Sequence, residues 1–338
     1  MSKKAPAKNI IILITLLACI FITGCGQKSS MPFSKTGFYF DTVVTITVYE
    51  KENASDRADE LIDQTMDECS RLEKMLSPAI EGSDVWNINH SNGEWVYVSD
   101  ETATLIYTAL TFCRTTNGKA DITIAPAKNL WTFDGSSAGM PDASALSQAL
   151  SHVDYNNVIT EGTRVRLKDP EAMIDLGFIA KGYIADQLKS FLIANNAEAA
   201  IINLGGNVQT LGLKPGNSAF SVGIQKPFAE IGQYSTKIEL GDDKSDKGLR
   251  SSAVTSGIYE RYFESDGRIY HHILDPFTGM PANTDLYSAT ILADSSMEAD
   301  ALSTICILMG KEEAEKYIRS LDEIDAIFIT SDGQIIDT

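Results

Sequence analysis

The sequence predicts an α+β protein of mixed, largely antiparallel sheets with packed helices, in one domain whose length leaves room for two lobes. Three observations carry this. Short β-branched stretches alternate apolar and polar residues, other stretches repeat apolar residues on one helical face, and the two kinds follow one another without a regular βαβ beat. No long linker divides the chain. Its 338 residues are 43% hydrophobic, enough for a large core, which excludes disorder as a description of the whole.

At the N-terminus Lys3, Lys4 and Lys8 precede an apolar stretch from Ile10 to Ile22, too short for a comfortable membrane span, which ends in Ile22-Thr23-Gly24-Cys25. This order reads as a secretory signal over residues 1–24 with a bacterial lipobox, and Cys25 as the thiol that accepts diacylglycerol. Ordinary cleavage with Cys25 as a bystander is the competing reading. Residues 25–36 are then expected as a flexible tether and 37–338 as the folded domain. The implied place is the extracytoplasmic face of the cell membrane, held by the lipid.

Within Phe38 to Tyr49, "TVVTITVY" predicts a strand. Leu61, Ile62, Met66, Cys69, Leu72 and Leu76 place one apolar face on a helix over Asn53 to Leu76. The next stretch, "SPAIEGSDVWNINHSNGEW", reads as loop. Ser99 caps a helix with apolar Leu105, Ile106, Ala109, Leu110 and Cys113, stopped by Gly118. Further helices are expected at about 142–152, 179–195, 297–309 and 311–321. Strands are expected at Ala199 to Leu204, Phe220 to Ile224, Tyr234 to Leu240, Ser288 to Leu292 and Ala326 to Thr330. Cys69, Cys113 and Cys306 stand alone in apolar helical settings and read as buried free thiols, with no Cys-x-x-Cys pair for zinc or redox work.

The formal charge of −18 excludes nucleic acid as a partner, and losing the signal removes three lysines and no acid. A polyanionic substrate would need a local countercharge or a cation. G-x-x-x-x-G-K-[ST] is absent, and Gly205-Gly206 followed by Gly212 lacks the spacing of G-x-G-x-x-G. P-loop and Rossmann readings therefore fall.

Chemistry concentrates in a few segments. In "GKADITIAPAKNLWTF" Asp121 and Thr123 alternate with apolar residues as on a strand, with a polar edge strand as the plain alternative. In "MIDLGFIAKGYIADQL" Asp175 ends an apolar run, while Lys181 and Gly182 open a helix whose N-terminus suits an anion. "AAIINLGGNVQTLG" ends a strand in Gly205-Gly206-Asn207, either a structural turn or a phosphate and ribose cradle. In "VTSGIYERYFESDGRIYHHILDPFTGMPA" the Ser265-Asp266-Gly267 turn signal pairs Tyr259 to Phe263 with Arg268 to Ile273. Alternation sends His271 and His272 to opposite faces, so one of them points into a site. In "MEADALSTICILMG" Asp300 and Thr304 share a helical face as hard oxygen donors suited to magnesium, although solvated or capping pairs of this spacing are far commoner.

Taken in order, "KADIT", "IDLGFIAKGYIAD", "INLGGN", "TSGIYERYF", "YHHILDPFTGMP" and "ADALST" resemble the ApbE family of FAD:protein FMN transferases over roughly Phe38 to Gly310. The resemblance implies FAD as substrate, AMP as leaving product, and an acceptor protein esterified with FMN on a Thr or Ser. It implies Mg2+ on Asp300, Thr304 and the backbone carbonyl of Phe178, and FAD contacts near Phe40, Ala120, Asp121, Asp175, Lys181, Glu260 and His272. Three positions depart from the family pattern: Phe178 stands where a small residue is usual, Ile258 replaces an acidic residue, and Ala79 aligns with a variable flavin-proximal side chain.

Phosphoryl transfer asks for alignment and charge neutralisation more than covalent chemistry. His272, with an ordinary pKa of about 6.5, is the expected base for the acceptor hydroxyl and Asp300 its rival. Two other functions use the same residues. Water in place of the hydroxyl gives a metal-dependent FAD pyrophosphatase, and binding without turnover gives a flavin-capturing lipoprotein.

Overall fold

The computed structural model describes Ser30 to Thr338 apart from residues 134–137 and 243–247, so the signal segment and Cys25 lie outside the described residues. β1 (Ser30–Tyr39) and β2 (Thr42–Lys51) pair antiparallel along their whole length. This corrects the tether expected over 25–36, which is strand from Ser30 onward. Ser, Lys, Thr and Pro disguise it, but β1 is an edge strand with one neighbour, where polar side chains and Pro32 are tolerated. β2 alternates as expected, with Val44, Ile46 and Val48 buried and Val43 exposed.

α1 (Ser55–Leu76) buries the expected stripe. The stretch expected as loop contains α2 (Asp84–Asn89), capped where the Ser83 hydroxyl accepts the Trp86 N–H at 2.9 Å. A helix so short shows no period. β3 (Val96–Tyr97) precedes α3 (Asp100–Thr115), which Ser99 caps as expected. The strand-like alternation at Asp121 and Thr123 is a second correction. Asp121 Oδ1 accepts the Thr123 N–H at 2.7 Å and its hydroxyl at 2.6 Å, which folds the chain into a turn ahead of α4 (Ala125–Lys128).

α5 (Ala143–Leu150) leads to β4 (Val158–Glu161) and β5 (Arg164–Leu167), which complete a small sheet of order β3-β5-β4. Then come α6 (Ala180–Ala194), β6 (Ala200–Leu204), β7 (Asn207–Leu211), and the hairpin of β8 (Phe220–Gln225) and β9 (Tyr234–Leu240). β10 (Ser252–Gly257) is followed by the expected hairpin of β11 (Tyr262–Ser265) and β12 (Arg268–His271), turned at Asp266 and Gly267 with φ of 50° and 72°. Its first strand begins three residues later than expected, because the Glu260 N–H turns back to the Gly257 carbonyl. β13 (Leu286–Ala293), α7 (Ser296–Met309), α8 (Lys311–Ile318), β14 (Asp325–Thr330) and β15 (Ile335–Asp337) close the chain.

One eight-stranded sheet of order β1-β2-β6-β7-β10-β13-β14-β15 organises the molecule, and each of its strand pairs is antiparallel. The α+β class is therefore correct. Alternation splits the core between the two faces. Val254 and Phe328 pack with α7 and α8, while their neighbours Ala253 and Ile327 pack under the β8–β9 hairpin. A third cluster joins Val44, Ile46 and Val48 to α1, α3 and α6. Cys69, Cys113 and Cys306 are free and buried, as expected.

Candidate active site

The site forms where α6 and α7 start beside one another. A Cβ on Gly182 would lie 2.1 Å from the Ser296 carbonyl oxygen and 2.7 Å from Asp300 Cβ, so glycine is what lets the helices touch. The contact brings the Gly182 N–H to Asp300 Oδ2 at 2.8 Å. Asp300 on α7 thereby satisfies a first-turn donor of α6. Asp186 on α6 does the converse at the N-terminus of α7, accepting the Ser296 N–H at 2.9 Å, the Met297 N–H at 3.0 Å and the Ser295 hydroxyl at 2.9 Å.

Ahead of α6, Asp175 is fixed by its N–H to the Ile122 carbonyl at 2.7 Å and by an ion pair with Lys128 at 2.7 Å. Its Oδ1 accepts the Gly177 N–H at 2.9 Å, and a side chain on Gly177 would run into that oxygen. Burial pushes the Asp175 carboxyl up, but Lys128 and the Gly177 N–H outweigh it and leave its pKa below the usual range.

Lys181 acts on two acids. It makes no direct ion pair among the described residues, yet its charge acts on both Asp300 and Glu260. Burial raises the Asp300 pKa, opposed by Lys181, the Gly182 N–H and the Asn207 side chain. Glu260 opens to solvent on one side, but the protein packed around it pushes its carboxyl up, opposed by Lys181 and reinforced by Asp300. His272 faces the same cations. Burial first, then His271, Lys128, Arg261 and Lys181, drives its pKa down to about 3. The ordinary value expected from the sequence is therefore corrected, and the imidazole is neutral across the physiological range.

On α7 the Thr304 hydroxyl meets the Ser256 hydroxyl at 3.0 Å, and Ser256 also meets Ser303 at 2.7 Å. Among the described residues no three His, Cys, Asp or Glu side chains converge on a common point, and the Phe178 carbonyl accepts no hydrogen bond. The Gly182 N–H four residues on goes to Asp300 instead. One carboxylate, one hydroxyl and one free carbonyl are hard oxygen donors that leave positions for water and phosphate, a set that fits Mg2+ better than zinc.

The ApbE family model matches residues 40–328. The chain belongs to the ApbE family. It is 32% identical to an FAD:protein FMN transferase of Treponema pallidum (strain Nichols), over 95% of this chain and 92% of that relative. It is 36% identical to an FAD:protein FMN transferase of Klebsiella pneumoniae (strain 342), over 79% of this chain and 81% of the relative. The crystal structure of the ApbE protein of Thermotoga maritima superposes with a TM-score of 0.80 at 31% identity, covering 91% of this chain and 97% of that one.

Within this family fold the residues named from the sequence lie in three places. Asp175, Phe178 and Lys181 lead into or open α6, Asp300 bonds the Gly182 N–H there, the charge of Lys181 reaches Glu260 and His272, and Thr304 lies one turn beyond Asp300 on α7. Ala120 and Asp121 lie one layer behind, joined by Ile122. Ala120 is buried, and Asp121 commits Oδ1 to Thr123 and Oδ2 to the Tyr155 N–H at 3.0 Å. Phe40 occupies the β1–β2 turn, where Phe40 and Asp41 both take positive φ, and its N–H meets Glu73 at 2.6 Å. The Gly205-Gly206 stretch is a structural turn, since its N–H groups go to the Val43 carbonyl and to Asn203 Oδ1, each at 3.0 Å. His271 is tied to the Ala282 carbonyl at 3.1 Å, which leaves His272 as the histidine facing the charged groups, as alternation requires.

Sequence reasoning passed over Lys128, Arg261 and Ser256 as site residues, because each lies inside a quoted motif without a pattern of its own. Two surface depressions contain none of these groups: one is lined by Tyr49, Lys214 and Asp242, the other by Asp285, Lys311 and Glu313.

Proposed function

We propose that this chain transfers FMN from FAD to a Thr or Ser hydroxyl of an exported or membrane protein and releases AMP. The observation that carries the reading is Lys181 in the first turn of α6, whose charge acts on Asp300, Glu260 and His272 alike, close in the chain to a Phe178 carbonyl that accepts no hydrogen bond among the described residues. The relatives' activity agrees with it.

Asp300, Thr304 and the Phe178 carbonyl would hold Mg2+, which supplies charge neutralisation at the diphosphate. Lys181, in the first turn of α6, adds positive charge for the same anion. The acceptor oxygen forms a bond to the FMN phosphorus, the bond from that phosphorus to the bridging oxygen breaks, and the electron pair leaves with AMP. The hydroxyl proton passes to the neutral His272. A bound diphosphate raises the pKa of that imidazole from its depressed value and so makes it a better acceptor. Lipidation at Cys25 would hold the enzyme at the extracytoplasmic membrane surface, where exported acceptors are found.

The test incubates the chain with FAD, Mg2+ and co-expressed membrane proteins, following AMP and an FMN phosphoester by mass spectrometry. Acceptor-dependent AMP with a modified Thr or Ser is expected. AMP without any modified protein would replace transfer by hydrolysis, and FAD retention without AMP would replace both by capture.

A further inference from the structure

Asn207 is wholly buried, and among the described residues neither its Nδ2 nor its Oδ1 has a hydrogen-bond partner within bonding distance. A buried carboxamide without partners is expensive, and few native positions carry one. Nothing about its backbone leaves it free to move. It opens β7 directly after the Gly205-Gly206 turn, pairs with Leu204 across the β6–β7 ladder, and follows glycines with φ of 56° and 104°. A side chain on Gly205 would meet Thr42 Oγ1 at 1.9 Å, so the turn has one seat against β2. β7 packs against both α6 and α7, the two helices that make the site.

The carboxamide lies beside the Asp300 carboxylate, near enough to hold its pKa down but without closing a hydrogen bond. Asp300 spends Oδ2 on the Gly182 N–H. A strand seated by its turn thus places a buried carboxamide beside the proposed cation ligand.

We propose that Asn207 is a positioning residue for the cation, its amide steadying Asp300 and its remaining polar atom holding a water of the bound Mg2+. This rests on the reading of Asp300 as the cation's carboxylate. Partners of this kind orient a ligand and tune its affinity, and their loss typically costs about tenfold to a hundredfold in metal binding.

The role makes an unusual demand on stability. If Asn207 served the fold, replacing it with Leu would lower the melting temperature of the metal-free protein. If it serves the cation, Asn207→Leu removes an unpaired polar group from the interior and leaves the metal-free protein as stable or more so.

The experiment titrates Mg2+ alone into the full chain by calorimetry and records thermal unfolding with and without Mg2+, for wild type, Asn207→Leu, Asn207→Ala and Asp300→Asn. The expected result is Mg2+ affinity about tenfold to a hundredfold lower in both Asn207 variants, with no loss of metal-free melting temperature in Asn207→Leu and a smaller Mg2+-induced rise. Asn207→Ala keeps the test open if the Leu variant does not fold. Wild-type Mg2+ affinity in the folded Asn207 variants, with affinity lost in Asp300→Asn, overturns the role of Asn207 alone. Unchanged affinity in Asp300→Asn overturns the cation site and the role together.

Discussion

Asp186 and Asp300 occupy mirrored places, each on one helix of the α6–α7 pair and each capping the start of the other, yet their surroundings differ. Asp186 accepts three donors, two backbone N–H groups and a hydroxyl, all from the first turn of α7 or its cap. Among the described residues Asp300 accepts one close donor, the Gly182 N–H, with Lys181 and the Asn207 carboxamide acting on it from beside. Burial raises the pKa of both. The lesson is that capping and ligand binding draw on the same residue type, and the number of oxygen lone pairs already committed separates them. A carboxylate whose acceptor capacity is used has a structural role, while one with capacity to spare can also serve the cation proposed above.

Asp300→Ala should break this contrast most severely. It removes the only anionic ligand proposed for Mg2+, and several kcal/mol of charge stabilisation corresponds to a loss of roughly a thousandfold in AMP release. Activity is measured against Mg2+ concentration with chelator as the zero point. Full wild-type activity in chelator would show that this carboxylate does not hold the cation.

The two adjacent histidines repeat the contrast on β12. His272→Ala should cut FMN transfer by about a hundredfold or more, with FAD binding less affected. His271, tied to the Ala282 carbonyl, should leave the chemistry nearly intact and appear in the pH dependence of stability instead. Burial drives its pKa down to about 4 from an ordinary 6.5, so between those values the unfolded chain takes up a proton that the folded one refuses. Stability is therefore full above the ordinary value and falls as pH drops towards 4, by an amount on the order of 3 kcal/mol. His271→Gln should flatten that part of a pH series of denaturation curves. Equal, small losses of transfer in both His variants would sink the assignment.

Thr304→Ala should cost less than Asp300→Ala, about tenfold, because water replaces a neutral oxygen ligand more readily than a carboxylate. Raised Mg2+ should recover most of that loss by mass action. A Thr304 variant less active than the Asp300 variant would reverse the order of ligands proposed here.

How much of this was legible depended on the kind of signal. The helices of the site showed their period, and the His271–His272 alternation follows from pleat geometry alone. The edge strand β1 was hidden by its polar composition, and the turn at Asp121 by a side chain that bonds its own backbone in place of a ladder. Electrostatics was the least legible. Nothing in "YHHILD" reveals that burial and three nearby cations drive His272 to about 3, since Lys128, Lys181 and Arg261 come from separate segments. That Asn207 finds no partner among the described residues was equally hidden, because a missing hydrogen bond has no sequence pattern.

Asp186→Ala carries the smallest expected effect on activity and is the control on which the comparison rests. Removing the carboxylate strips the Ser296 and Met297 N–H groups of their acceptor, and loss of a cap typically costs about 1–2 kcal/mol. The melting temperature should fall by a few degrees. Below that transition the Ser295 hydroxyl still caps α7 through the Glu298 N–H at 3.2 Å, so Asp300 and Thr304 on the turns that follow keep their places. Transfer activity and Mg2+ affinity should then stay within about twofold of wild type, while Asp300→Ala loses both. If Asp186→Ala loses Mg2+ affinity as deeply as Asp300→Ala with its helices intact, the two carboxylates form one coupled unit, and the division between a structural cap and a working one fails.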